Sequence, residues 1–266
     1  MAYRIPDGEN PIATIVPDGG YTAIFRTLAV IGDSLASGEH ESVDLNGVKG
    51  YHDYYEYSWG QFIARKCGVN VLNMSRGGLT AKTFHVLAQY DGCFTPEKAC
   101  QGYIIGLGVN DATQIVQGDM EFGTTSDVET DNPDDNKSTF IGEYVKIIQR
   151  IRRLQPKARI FVITPPRTWK ATPDKNAVLD KISDFLRSLP DLFEFLYVID
   201  LRKYEPVYDK EFDEKYRLGG HLSAIGYKRA ADVIATYIDY IIQHNPEDFK
   251  QVGFIGRDVY NTQEKW

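Results

Sequence analysis

The 266-residue sequence predicts an α/β domain of three layers, with helices on both faces of a central parallel sheet of about five strands. Two observations carry this expectation. Five short apolar runs, rich in β-branched residues, recur along the chain: Leu28–Ile31, Val69–Leu72, Tyr103–Leu107, Arg159–Ile163 and Phe195–Ile199. Their apolarity is continuous rather than alternating, as expected of strands buried on both faces. Between and after them lie helical patterns near Trp59–Lys66, Thr80–Gln89, Phe140–Leu154, Asp174–Leu189 and Ala224–Gln243. The last carries Val233, Ile234, Tyr237, Ile238, Ile241 and Ile242 at helical spacing. Strand–helix alternation of this kind implies right-handed βαβ units.

Composition excludes several classes. With 30 Lys and Arg against 37 Asp and Glu the formal charge is −7, which argues against a surface that tracks nucleic-acid phosphates. No apolar run reaches the roughly 18 residues needed to cross a bilayer, so no membrane partner is expected. The start of the chain lacks the basic, apolar and small-residue zones of a secretory signal. Cys67, Cys93 and Cys100 are odd in number and form no CxxC pair, so they read as free thiols in a reducing, cytoplasmic setting without structural zinc. Outside the alternating pattern, residues 12–16 suggest a small extra strand or hairpin between Pro-Asp-Gly turns. The acidic stretch 117–138 reads as a solvated surface loop, with a lid as the alternative.

The chemistry-bearing residues follow the strands in order. The first strand runs into Gly32-Asp33-Ser34-Leu35, and a serine at the carboxyl edge of a parallel sheet is placed for nucleophilic attack. Gly32-Asp33-Ser34 also reads as a turn with a helix cap. After the second strand come Gly77 and Gly78, whose backbone N–H groups can approach an oxyanion closely because no Cβ obstructs them. After the third comes Gly106-Leu107-Gly108-Val109-Asn110-Asp111, where Asn110 offers an amide donor. A dinucleotide fingerprint is rejected there, because Asp111 stands where a third small residue should open the helix. His221, in Gly219-Gly220-His221-Leu222-Ser223, precedes the final helix and is the side chain suited to take a proton near neutral pH. The other histidines, His40, His52, His85 and His244, lack such a setting.

These four blocks, in this order, resemble the SGNH or GDSL-type hydrolase superfamily over roughly Leu28 to His244. The resemblance divides the chain into an N-terminal extension (1–27), a hydrolase domain (28–244) and a C-terminal tail (245–266). It implies a flavodoxin-like sandwich and ester hydrolysis through an acyl-serine intermediate without metal or cofactor. It also implies Ser34 as nucleophile, His221 as base, and an oxyanion hole from the Ser34 N–H, Gly78 and Asn110. One departure stands out. Many members carry Asp three residues before the histidine, and here that residue is Leu218. A helix N-terminus just after His221 disfavours imidazolium, so the missing acid should be felt. The repairs open to the chain are a Ser–His dyad held by a backbone carbonyl, which is preferred, Asp213 or Glu214, or an acid from elsewhere.

The stretch after Ser34 is rich in aromatics, with Tyr51, Tyr54, Tyr55, Tyr57 and Trp59, and Arg167-Thr168-Trp169 follows the fourth strand. Flat faces beside carboxylates suit a sugar or polyol, although most of these rings are expected to pack the loop onto the sheet. The expected partner is a small-molecule ester, acetyl in the first instance and on a carbohydrate. No continuous apolar groove for a long acyl chain is evident. The alternatives are a lysophospholipase or acyl thioesterase, and a non-catalytic binding protein of the same fold.

Overall fold

The computed structural model describes residues 4–257. Strand β1 (Thr27–Gly32) is followed by the hairpin β2 (Glu39–Val43) and β3 (Lys49–Asp53), then by β4 (Asn70–Ser75), β5 (Gly102–Gly106), β6 (Arg159–Ile163) and β7 (Leu196–Ile199). A two-residue ladder, β8 (Arg217–Leu218) with β9 (His221–Leu222), precedes the longest helix. The helices are α1 (Ser34–Ser37), α2 (Trp59–Cys67), α3 (Ala81–Tyr90), α4 (Val109–Gln117), α5 (Phe140–Leu154), α6 (Pro173–Ser188), α7 (Leu201–Tyr204), α8 (Lys210–Tyr216), α9 (Ala224–His244) and α10 (Pro246–Phe249).

The central sheet has the order β4-β1-β5-β6-β7 and is parallel throughout. Side chains alternate between its faces, as the pleat requires. Ala29, Ile31, Tyr103, Ile105, Ile160 and Val162 join the core beneath α3, α5 and α6. Leu28, Val30, Ile104, Phe161, Ile163 and Ile199 join the opposite core beneath α2 and α9. Both faces are therefore buried, which is why the strands read as continuous apolar runs, and each fully buried Ile, Leu or Phe contributes about 1.5–3 kcal/mol. The expected three-layer α/β/α sandwich is the observed architecture.

Local differences have physical reasons. Residues 12–16 form turns rather than a strand, because the segment runs beside α9 and α2 instead of a sheet edge. There the Val16 N–H donates to Thr236 Oγ1 at 3.1 Å, and Lys66 Nζ donates to the Val16 carbonyl. The acidic stretch is a surface loop fastened to α5: Asp134 pairs with Lys146 and Arg150, and the Gln149 amide donates to the Glu129 carbonyl. Helix α4 was not anticipated; it is short, and its sequence is crowded with Asn, Asp and Thr. Phe249, Val252 and Ile255 of the C-terminal segment are buried in the same core as Phe25, while residues 258–266 of the expected tail lie outside the described residues. No helix among the described residues is long and apolar enough to cross a membrane.

The reversal of strand order lies between β1 and β5, where Gly32 pairs with Ser75 on one side and Gly106 on the other. A Cβ on Gly32 would collide with Ala36 and come within 3.1 Å of the Gly106 carbonyl. Gly32→Ala is therefore expected to lower stability by about 1–3 kcal/mol, checked by urea denaturation.

Candidate active site

Ser34 stands at this switch point, where parallel sheets of this order open a crevice at their carboxyl edge. Asp33 follows the strand and caps α1, its carboxylate accepting the Leu35 N–H at 3.0 Å. Ser34 is the half-buried first residue of α1. Its N–H, like that of Gly78, donates to no acceptor among the described residues. Gly78 has φ +77°, with open space where a Cβ would project, so the turn presents bare backbone.

Asn110 and Asp111 open α4 and hold that glycine turn in place. Asn110 Nδ2 donates to the Leu79 carbonyl at 3.0 Å, one residue beyond Gly78. Asp111 accepts the Ala81 N–H, the first of α3, at 2.9 Å. The Asn110 amide is thus partly committed to positioning, with one hydrogen left over. Asp111 is fully buried, and burial pushes its carboxyl up to about 6. Burial likewise pushes Asp33 up to about 7, and the neighbouring Asp111 charge adds to the rise.

His221 reaches the same edge on β9, which packs against α1 and β2. Tyr227, one turn into α9, donates its hydroxyl to the Glu39 carbonyl at 2.6 Å and lies 3.3 Å from the Ser34 carbonyl. Ser34, the hairpin and the His221 segment are tied together through that ring. The structure brings no hydrogen bond between Ser34 and His221. Instead His221 Nε2 lies 3.0 Å from Glu39 Oε1, and Nδ1 is buried without a partner, so the expected backbone carbonyl on the imidazole is absent among the described residues. Burial lowers the His221 pKa, with Arg217 and His40 acting in the same sense and the Glu41 and Asp53 charges opposing.

Neither nearby acid considered from the sequence reaches His221. Asp213 is held by Trp169 Nε1 at 3.0 Å, Lys170 at 2.7 Å and Arg217 at 2.8 Å, and Glu214 is exposed on α8. Leu218 faces His221 across the ladder and is half exposed. The carboxylates that do surround the histidine, Glu39, Glu41 and Asp53, come from the β2–β3 hairpin. Glu39 also covers Gly77, where a Cβ would run into its carboxylate. Glu41 accepts the Gly220 N–H at 2.6 Å and pairs with Lys49. A signal for this hairpin was present in Asn46-Gly47 between two polar-alternating segments.

Tyr51 lies on β3, and the other aromatics of this stretch follow the hairpin, Trp59 opening α2. Tyr51, Tyr54, Tyr55 and Tyr57 are exposed, and of the five rings singled out in this stretch only Trp59 is buried, so packing accounts for one of them. The Tyr51 ring meets His221 edge-on at 5.9 Å between centroids. On the other flank of Ser34 lies a cavity of about 230 Å³, bounded by Asp33 and Leu35 and by Val109, Ile163, Pro165 and Leu222. That apolar space, assembled from segments distant in the chain, was not evident in the sequence.

Because its folded pKa lies above the ordinary carboxylate value, Asp111 favours the fold fully only below about pH 4, and this contribution is lost as pH rises through about 6. Asp111→Asn keeps an acceptor for Ala81 and removes the titration. The stability of wild type relative to this variant should fall by about 1–3 kcal/mol between pH 4 and 7.5, as measured by denaturant unfolding at each pH.

Comparisons with known proteins agree with this architecture. No curated relative matches the sequence. Among solved structures, a family two carbohydrate esterase from Clostridium thermocellum, in complex with cellohexaose, is 15% identical with a TM-score of 0.54, covering 84% of this chain and 65% of its own. The chain spans about two thirds of that esterase's length. A lipase/acylhydrolase from Enterococcus faecalis is 16% identical with a TM-score of 0.52, covering 80% of this chain and 95% of its own. At such identities the likeness is one of fold. The sequence model of the GDSL-like lipase/acylhydrolase family matches residues 30–229, the span that holds Ser34, Gly78, Asn110 and His221, and the chain belongs to that family of hydrolases.

Proposed function

We propose that this protein is a serine esterase that removes a small acyl group, acetyl in the first instance, from a carbohydrate or other polyol. The observation that carries the reading is the convergence on one crevice of Ser34, the unengaged N–H groups of Ser34 and Gly78, Asn110 and the His221 segment. In this reading Ser34 Oγ attacks the acyl carbon while His221 takes its proton. The carbonyl oxygen, now negative, is received by the Ser34 and Gly78 N–H groups and the free hydrogen of the Asn110 amide. His221 then passes its proton to the departing alcohol, and water hydrolyses the acyl-serine by the same steps.

The exposed Tyr51 ring edge-on to His221, with exposed Tyr54, Tyr55 and Tyr57 in the stretch that follows, supports a hydroxyl-rich leaving group by offering flat faces to a sugar ring. The apolar cavity beside Ser34 favours a second reading, a longer-chain acyl ester or thioester, because an acetyl group alone would leave most of it empty. Hydrolysis of p-nitrophenyl acetate against longer acyl homologues separates the two.

Acetate turnover should exceed that of the long-chain homologues and fall at least about 10³-fold in Ser34→Ala. Equal turnover by both proteins would refute the serine esterase. Asn110→Ala is expected to reduce kcat by about 10²-fold, read from steady-state kinetics on the same ester.

A further inference from the structure

The acid absent at Leu218 leaves His221 with an unsolved electrostatic problem. The imidazole is largely buried, its ring precedes the N-terminus of the 21-residue helix α9, and Arg217 lies close by. All three disfavour the imidazolium that proton transfer from Ser34 would create. A carboxylate in contact with the ring is the direct physical remedy, and Glu39 is the one within hydrogen-bond distance among the described residues.

Resting on the esterase reading above, we propose that Glu39 is the positioning residue of the site: it replaces the missing acid from the opposite side of the ring, through Nε2 rather than Nδ1. Its placement is built. The Glu39 backbone carbonyl accepts the buried Tyr227 hydroxyl at 2.6 Å, and that hydroxyl also lies against the Ser34 carbonyl. Its carboxylate is mostly enclosed, between His221 and the Gly77 turn. The groups facing the pair are Glu41, Asp53, Arg217, His40 and His52, and Glu41 is largely answered by Lys49 and the Gly220 N–H.

The proton accounting follows from the contact. In this arrangement neutral His221 carries its hydrogen on Nε2, 3.0 Å from the carboxylate of ionised Glu39, so the lone pair is on the unpartnered Nδ1. As Ser34 Oγ bonds to the acyl carbon, its proton moves to Nδ1 and the carbonyl electron pair moves to oxygen. When the ester C–O bond breaks, the same proton goes from Nδ1 to the leaving alkoxide. Glu39 stays ionised throughout. The contact thus becomes an ion pair only when charge develops, so its stabilisation falls on the transition state and not on bound substrate.

Glu39→Gln tests this with two readouts. The expected result is a kcat lowered about 10- to 1,000-fold at nearly unchanged KM for p-nitrophenyl acetate, with partial recovery in Glu39→Asp. The His221 titration, followed by NMR of the ring protons, should move down by about one unit or more, and the acidic limb of the pH–rate profile should move down with it. Thermal unfolding of each variant identifies a folding defect, in which case the NMR titration of folded Glu39→Asp decides, expected to lie between wild type and a histidine without its carboxylate. Unchanged or faster turnover in folded Glu39→Gln would overturn the proposal, as would an unmoved His221 titration. If Ser34→Ala abolishes turnover while Glu39→Gln leaves kcat unchanged, the role of Glu39 falls alone; if Ser34→Ala is fully active, the esterase reading falls and takes it along.

Discussion

A parallel sheet buried on both faces leaves little room for polar chemistry except at the ends of its strands. Here Leu28, Val30, Ile104 and Phe161 are sealed beneath α2 and α9, and Ala29, Ile31, Ile105 and Ile160 beneath α3, α5 and α6. Hydrophobic burial of this kind fixes strand direction and forces every loop after a strand to emerge at one edge. The strand order then reverses between β1 and β5, so the loops after them diverge and leave a crevice. Ser34 and Asn110 occupy its two walls, and the Gly77–Gly78 turn after β4 lies beside the first.

Polar groups at that edge are held by a small number of specific bonds, each linking segments distant in the chain. Asn110 and Asp111 fasten the glycine turn to α4, and Tyr227 fastens the hairpin and α1 to α9. Enclosure has an electrostatic consequence. Carboxyls such as Asp33, Asp111 and Glu39 are pushed up, and His221 is pushed down, so enclosure raises the cost of charge at this edge. A site in that condition can support charge transiently if a compensating group is already in contact, which is the position of Glu39 relative to His221.

Much of the architecture was legible because each layer leaves a local mark. The five strands and the helices α2, α3, α5, α6 and α9 fall within a few residues of where apolar periodicity puts them. The Ser34, Gly78, Asn110 and His221 blocks stand out because nucleophile, bare backbone donor, amide and base each require a particular residue type after a strand. The hairpin β2–β3 was not legible in the same way. Its residues Glu39-His40-Glu41-Ser42-Val43 are mostly polar, and a polar strand beside a site has no core face to betray it.

By itself the sequence determined the layer architecture, the order of the four blocks, and the vacancy at Leu218, because hydrophobic period and residue chemistry are properties of short segments. Tertiary structure decided what fills that vacancy. Glu39 is 182 residues from His221 in the chain, and only the return of β9 beside β2 brings their side chains to 3.0 Å. The apolar cavity next to Ser34 is likewise a product of assembly, drawing on α1, the ends of β5 and β6, the stretch after β7, Leu222 of β9 and the middle of α9. Contacts of this kind depend on how separate elements pack, and no local pattern encodes them.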